Sequence, residues 1–108
     1  MSRPVKYGYH GLDKDLADLM GGLDGWREIV ESLYDDLVAM GWSRDLFQIK
    51  EKFGGLRFYI GEGSSEIFDR IAKAENTSLA TCMVCGNPGR RTGKGWILTL
   101  CEDHEQGR

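Results

Sequence analysis

The sequence predicts an α+β fold that contains two amphipathic helices, a β-hairpin and a small C-terminal subdomain. Apolar residues recur every three or four positions in residues 23–43 and again in residues 66–82, which is the spacing of a helix buried on one side. Apolar and polar residues alternate on both sides of the glycine pair at 54–55, as they do in a hairpin. The last quarter of the chain holds all three cysteines and a histidine in two short-spaced pairs, which indicates a unit of its own.

Length and composition indicate one soluble globular domain. The chain has 108 residues, of which 41% are hydrophobic and 29% charged. Residues 11–45 hold nine acidic and three basic residues, whereas residues 46–108 hold eight and nine, so the acidity is local. A net charge of −3 does not favour a general nucleic-acid binder, although a local basic patch can still bind nucleic acid. An odd number of cysteines and the lack of a signal-like or membrane-spanning run lead us to expect a cytoplasmic protein, in the host cytoplasm if a phage encodes it.

The two helical patterns carry their own start and stop signals. In the first pattern, Asp24 is placed to be the N-cap and Gly41 to be the C-terminal stop. The second pattern follows a polar turn in which Ser64 or Ser65 is the cap. The sequence also allows a shorter helix over residues 12–20.

The hairpin pattern places basic residues on one of its faces. If the glycine pair at 54–55 is a two-residue turn, Lys52 lies opposite Arg57 and Lys50 opposite Tyr59. Like charges directly opposite each other on a strand pair repel, so this face indicates an anionic group nearby. That group is either a carboxylate of the chain itself, such as that of a helix residue, or a partner.

The C-terminal cysteines and one histidine follow the spacing of a zinc site. Cys82 and Cys85 are followed by Cys101 and His104, in the pattern C-x2-C-x15-C-x2-H. Structural zinc takes four tetrahedral ligands from thiolates and imidazole nitrogens, and two short-spaced pairs supply them with little strain. The pattern therefore predicts one structural Zn²⁺ ion. Iron could also occupy four such ligands, but three thiolates with one imidazole favour zinc.

The chain between the two ligand pairs predicts a second hairpin. Residues 89–100 alternate toward Cys101, with a turn near residues 93–95. A knuckle, a hairpin and a second ligand pair form a treble-clef-like zinc arrangement, in which any final helix must be short. We therefore divide the chain into an α+β helix and hairpin region, residues 1–81, and a zinc-binding subdomain, residues 82–108, packed together as one compact unit.

Catalytic alternatives explain these residues less well. A redox role for Cys82 and Cys85 would leave Cys101 and His104 unexplained, and no βαβ pattern accompanies it. A catalytic zinc ion keeps an open position for water, whereas here the protein supplies four ligands. A nuclease of the treble-clef type needs a histidine base, and only His10 remains, which we interpret as a surface residue. We therefore expect no enzyme and no small-molecule substrate.

Several phrases of the sequence resemble a known family. These phrases are "IKEKFGGLRFYIG", "TCMVCGNPG" and "GWILTLC", followed by His104. Over residues 42–104 they resemble a family of small zinc-binding proteins from bacteria, phages and prophages. The resemblance implies a zinc-binding accessory protein, which a phage can carry, and it implies no catalytic residue.

Two functions fit these observations. The first is a non-enzymatic, zinc-stabilised protein that binds another protein, as a phage or prophage accessory or inhibitor factor; three tryptophans offer aromatic anchors for it. The alternative is a zinc-dependent nucleic-acid-binding accessory protein. The candidate surface for either partner consists of Lys50, Lys52, Arg57, Tyr59, Arg90, Arg91 and Lys94. The competing interpretation is that these are ordinary solvated charges. We expect no association with a membrane.

Overall fold

The computed structural model describes residues 3–7 and 12–106, and His10 lies outside them. The elements in chain order are β1 (Pro4–Tyr7), β2 (Leu12–Asp15), α1 (Leu16–Met20), a 3-10 helix (Asp24–Trp26), α2 (Arg27–Ala39), β3 (Asp45–Lys52), β4 (Gly55–Ile60), α3 (Ser65–Ser78), β5 (Arg90–Thr92), β6 (Leu98–Leu100) and α4 (Glu102–Gln106). The predicted α+β class is confirmed, with helices over both amphipathic patterns and a hairpin between them.

The strands of the described residues form two sheets. The larger sheet has the order β2-β1-β3-β4, in which β1 is antiparallel to β2 and parallel to β3. Strands β5 and β6 form the smaller, antiparallel sheet in the C-terminal subdomain. Strands β1 and β2 were not predicted. The sequence allows a helix over residues 12–20, but the first four of these residues pair with β1 instead. The helix begins at Leu16, and Asp15 is its N-cap, with the carboxylate accepting from the amide of Ala17.

One hydrophobic core joins the helices to the larger sheet. Buried side chains of α2 and α3 pack with the alternate, buried residues of β3 and β4. Trp42 lies at the centre of an aromatic cluster, with its ring centroid 5.7 Å from that of Tyr34 and 5.8 Å from that of Phe58. The Tyr34 hydroxyl donates to the carbonyl of Pro4 at 2.7 Å, which ties α2 to strand β1.

The two ends of the first amphipathic helix differ in how well they were predicted. Gly41 is confirmed as the stop: its φ is +95°, and the amides of Gly41 and Trp42 donate back to Val38 and Leu37 as in a Schellman motif. The predicted start at Asp24 is wrong, because α2 begins at Arg27 and no side chain caps the preceding 3-10 helix. That segment is held instead by contacts with the C-terminal subdomain, which are described below.

The register of the β3–β4 hairpin differs from the predicted one by two residues. The turn consists of Phe53 and Gly54, with φ values of +52° and +82°, as a type I′ turn requires. Lys50 therefore lies opposite Arg57, and Lys52 opposite Gly55, so the predicted Lys52–Arg57 and Lys50–Tyr59 pairs are both wrong. Because a shift of two residues leaves every side chain on the same face, the predicted basic face is retained.

A side chain explains which residues form the turn. The carboxylate of Glu51 accepts a hydrogen bond of 2.8 Å from the amide of Gly54. This bond stabilises the turn at Phe53–Gly54 rather than at the two glycines. It also gives a partner to a carboxylate that points toward the apolar side of the hairpin.

Helix α3 covers the free edge of strand β4. The amide of Leu56 donates to the Ser78 hydroxyl at 2.9 Å, and the amide of Phe58 donates to the Glu75 carboxylate at 3.1 Å. These side chains take the place of a further strand, since an uncovered edge would leave the amides available for pairing with another chain. The helix begins as predicted, with the Ser64 hydroxyl accepting from the amide of Ile67 at 3.3 Å.

We predict that Ser78→Ala lowers the free energy of unfolding by about 1–3 kcal/mol, because it leaves the buried amide of Leu56 without an acceptor. Urea unfolding followed by circular dichroism measures this loss. Thr77→Ala is the matched control: its hydroxyl donates to the carbonyl of Lys73 on the exposed side of the same helix, and we expect a change within about 0.5 kcal/mol. Equal effects of the two substitutions would contradict the edge-covering role.

Candidate metal centre

The first ligand pair lies in a tight knuckle. The amide of Gly86 donates to the carbonyl of Cys82 at 2.9 Å, and the amide of Cys82 donates to the carbonyl of Asn87 at 2.7 Å. Gly86 has a φ of +86°, a conformation that glycine adopts without strain. The chain thus turns back on itself, so that the sulfurs of Cys82 and Cys85 lie on the same side of the turn.

The second ligand pair lies where a strand passes into a helix. Cys101 directly follows strand β6, and His104 lies in the short helix α4. The amide of Glu105 donates to the carbonyl of Cys101 at 2.8 Å and closes the first turn of this helix. Strand and helix together bring the thiol and the imidazole to one point, which agrees with the prediction that the final helix is short.

The structure brings all four predicted ligands together. One ligand atom from each of Cys82, Cys85, Cys101 and His104 lies within 4.8 Å of every other. The Sγ atoms of Cys85 and Cys101 are 3.7 Å apart, and Nδ1 of His104 is 3.5 Å from Sγ of Cys82 and 3.1 Å from Sγ of Cys101. Ligands at tetrahedral zinc distances lie about 3.8 Å apart for two sulfurs and about 3.5 Å apart for sulfur and nitrogen. The donor set and its spacing therefore fit one structural zinc ion.

The electrostatics of the thiols also favour a bound cation. Burial of Cys82 disfavours its thiolate, but hydrogen bonds from the backbone amides of Cys101, Cys85 and Val84 outweigh burial and lower its pKa to about 6. At Cys85 the amide of Asn87 favours the thiolate, yet burial and the two neighbouring sulfurs prevail and raise the pKa. The opposite shifts indicate that the thiols of Cys82 and Cys85 compete for negative charge, which Zn²⁺ compensates when it takes thiolate ligands.

The knuckle is fastened to the rest of the protein by backbone contacts. The amide of Gly25 donates to the carbonyl of Met83 at 2.9 Å, and the indole of Trp26 donates to the carbonyl of Thr81 at 2.9 Å. On its other side, the amide of Met83 donates to the carbonyl of Thr99 at 3.0 Å. The 3-10 helix before α2 therefore packs directly on the metal-binding turn.

Gly25 was not singled out from the sequence, although its position is restrictive. A Cβ atom there would collide with the carbonyl oxygen of Cys82 and with the backbone of Met83. The only sequence signal is a glycine inside an amphipathic pattern, where glycine is disfavoured unless packing requires it. Glycine at this position permits the 3-10 helix and the knuckle to touch.

Glu105 is a second residue that the sequence did not single out. Its carboxylate accepts from the guanidinium of Arg90 at 3.0 and 3.2 Å and from the hydroxyl of Thr92 at 3.3 Å. These bonds join the ligand-bearing helix α4 to strand β5. Arg90, one of the predicted surface residues, thus has an internal partner that supports the metal site.

The other predicted surface residues separate into groups. Lys50, Lys52, Arg57 and Tyr59 lie on the face of the hairpin that points away from the core. Arg91 reaches the tip of the same hairpin, where its Nε donates to the carbonyl of Phe53 at 3.1 Å. Lys94 lies in the exposed connection between β5 and β6. The structure therefore brings five of these seven residues to one region, and leaves Arg90 and Lys94 outside it.

Comparisons with protein-family models, with curated proteins and with solved structures found no match. Among the described residues, none of the helices has the length and apolar character needed to cross a membrane.

We predict that Cys82→Ser or Cys101→Ser removes zinc and unfolds at least the C-terminal subdomain, because metal binding there contributes folding free energy. Elemental analysis for zinc and thermal unfolding with and without a chelator measure both effects. His104→Cys is the control, since four thiolates also bind zinc. It should retain about one zinc per chain, whereas His104→Ala should not. A chelator-insensitive unfolding curve in the native protein would rule out a structural zinc ion.

We also predict that Gly25→Ala lowers the melting temperature and speeds the release of zinc to a chelator. Helix propensity alone predicts the opposite sign, because alanine in a helix is favoured over glycine by about 1 kcal/mol. The collision of the new Cβ with the knuckle backbone should outweigh that gain by forcing a shift that costs about 1–3 kcal/mol. Calorimetry and a colorimetric zinc-release assay decide the sign. An unchanged or raised melting temperature would contradict the contact.

Proposed function

We propose that this protein is a zinc-stapled, non-catalytic protein that binds nucleic acid through one face of its β3–β4 hairpin. We name this surface the outer hairpin face; it consists of Gln48, Lys50, Lys52, Arg57 and Tyr59. The observation that carries the proposal is the direct opposition of Lys50 and Arg57 across the strand pair. Within the described part of the chain, neither of them nor Lys52 forms a salt bridge.

The sequence alone left open whether an acidic residue of the chain neutralises this face. Glu75, one such candidate, lies near Lys52 and Arg57, but its carboxylate accepts from the backbone amide of Phe58. No salt bridge joins Glu75 to these cations, so Lys50 and Arg57 face each other across the strand pair at a cost in stability. An anionic partner offsets that cost, which supports a binding role for the face.

The chemistry of the face suits a polynucleotide. The ammonium group of Lys50 lies 5.7 Å from the centroid of the Tyr59 ring, and that ring is 38% exposed. A cation beside an exposed aromatic ring offers a contact for a phosphate and a stacking surface for a base. The excess acidity of residues 11–45 would repel a polyanion elsewhere, so the outer hairpin face is the surface on which it would dock.

The remaining features of the proposal follow from the metal site. Four protein ligands fill a tetrahedral zinc site, which leaves no position for a substrate and supports a structural role. The order of knuckle, β5–β6 hairpin and short helix α4 supports the treble-clef-like arrangement that the sequence predicts. Reduced cysteines suit the cytoplasm, which is that of the host if a phage encodes the chain. The family resemblance implies a phage or prophage accessory role.

An acidic protein segment is the second candidate partner. The aromatic side chains of Phe53 and Trp96 are 61% and 73% exposed beside the same hairpin, and aromatic and arginine residues are the usual anchors of protein interfaces. An inhibitor or accessory factor that binds another protein would use this edge of the molecule.

We predict that the zinc-loaded protein binds a fluorescent single-stranded oligonucleotide with an affinity that falls as salt rises. Contacts from Lys50, Lys52, Arg57 and Arg91 to four phosphates give a slope of about −3 in a plot of log K against log salt, at about 0.7 per phosphate. Arg57→Glu should weaken binding and flatten the slope by about 1. Fluorescence anisotropy titrations at several salt concentrations measure both quantities.

The matched control for this experiment is Lys73→Glu, which makes the same charge change at an exposed position of α3. It should change affinity and slope far less than Arg57→Glu does. If both variants lost affinity equally, the loss would be due to the overall charge of the protein, and this would contradict binding at a defined face. Equally tight binding of poly-glutamate, lost in Arg57→Glu, would favour the acidic protein partner instead.

A further inference from the structure

Two open cavities adjoin at the tip of the β3–β4 hairpin. The first, which we name the aromatic groove, has a volume of about 360 Å³ and is lined by Glu51, Lys52, Phe53, Gly95, Trp96 and Ile97. The second, which we name the cationic cavity, has a volume of about 280 Å³, and its lining includes Lys52, Phe53, Arg57, Asn76 and Arg91. Lys52 and Phe53 line both cavities, so an exposed aromatic groove passes directly into a pocket with three cations.

We propose that these cavities bind single-stranded nucleic acid, with a phosphate in the cationic cavity and an unpaired base against the rings of Phe53 and Trp96. This inference rests on the proposed function and names its substrate class. Each base of a strand lies next to a phosphate, and here the aromatic groove lies next to the cationic cavity. A base inside a duplex is stacked on its neighbours and cannot reach the rings, whereas an unpaired base can.

The backbone of Phe53 supports this assignment independently. A type I′ turn requires positive φ, and Asn, Asp or Gly is favoured at its first position. Phe53 occupies that position with a φ of +52°, where a bulky side chain is strained, and 61% of it is exposed to solvent. A strained, exposed aromatic residue contributes little to the core, and strain of this kind is concentrated at binding sites. The turn presents the ring outward, next to Lys52, whose ammonium lies 5.9 Å from its centroid.

The carboxylates of the two cavities are already engaged by the backbone. Glu51 accepts from the amide of Gly54, and Glu75, which lines the cationic cavity, accepts from the amide of Phe58. The cationic cavity thus holds three cations and one carboxylate, and this net positive charge favours a bound phosphate. The side-chain amide of Asn76 adds a neutral hydrogen-bonding group to the same wall.

The two walls of the groove belong to different parts of the chain. Phe53 lies on the hairpin of residues 45–60, whereas Trp96 and Arg91 lie in the zinc-binding subdomain. The walls are joined by the bond from Arg91 to the carbonyl of Phe53 and by the bond from the Thr99 hydroxyl to the carbonyl of Gly54. Binding in the groove therefore requires a folded, metal-loaded subdomain.

The test compares a fluorescent oligothymidylate, a duplex of the same length, and a single strand of abasic sugar-phosphate units, each titrated with the zinc-loaded protein. Phe53→Asn is the main variant, because asparagine suits the turn and should fold at least as well. We expect Phe53→Asn and Trp96→Ala each to weaken oligothymidylate binding by about five- to 150-fold, the range of one lost base stack. Binding of the abasic strand should be weak and unaffected by either variant.

Phe68→Ala is the matched control, since Phe68 is 48% exposed on helix α3 and should have no effect. Quenching of tryptophan fluorescence gives a second measurement, because Trp26 and Trp42 are buried and Trp96 is exposed. Equal affinities for duplex and single strand, together with an unchanged affinity in Phe53→Asn, would overturn this inference and leave the proposed function standing. Failure to bind any oligonucleotide would overturn both.

Discussion

The four-ligand cluster of Cys82, Cys85, Cys101 and His104 is the constraint on which the arrangement of the other parts depends. One ligand atom from each lies within 4.8 Å of every other, a spacing that suits the four ligands of one zinc ion. The cluster joins two stretches of chain that share little secondary structure, a knuckle and the β6–α4 junction. A small domain buries a limited core, so such a staple carries a large share of its stability.

The effect of this staple extends beyond the C-terminal residues. The knuckle receives hydrogen bonds from Gly25 and Trp26 on one side and donates to Thr99 on the other, and the hydroxyl of Thr99 in turn donates to Gly54 in the hairpin turn. This chain of contacts runs from the start of α2, through the metal site, to the tip of β3–β4. The metal site therefore supports the conformation of the exposed hairpin turn through direct hydrogen bonds.

Much of this arrangement could be predicted from the sequence, and the misses have physical causes. The ligand spacing, the two amphipathic patterns and the stop at Gly41 are local signals, and the structure agrees with them.

Strands β1 and β2 were missed because each has four residues, and β1 owes part of its pairing to a parallel contact with the distant β3. The start of α2 was misplaced because the knuckle, not a local cap, determines the conformation of residues 24–26. The hairpin register was shifted by two because the Glu51 carboxylate selects the turn, a contact that residue patterns do not reveal.

Charge is segregated over the molecule in a way that bears on its proposed partner. Three of the four acids of α2 are paired across elements: Arg3 bonds to Glu31 and Asp35, and Arg70 of α3 bonds to Asp36. The hydrogen bond from Arg3 lowers the pKa of Asp35. The cations of the hairpin have no such partners among the described residues, although carboxylates are in excess in the chain as a whole. Internal pairing would have been the simplest way to stabilise these cations. Folding alone favours the opposite arrangement, so their separation from the available carboxylates, beside a strained and exposed Phe53, is the structural basis for the phosphate-bearing ligand proposed above.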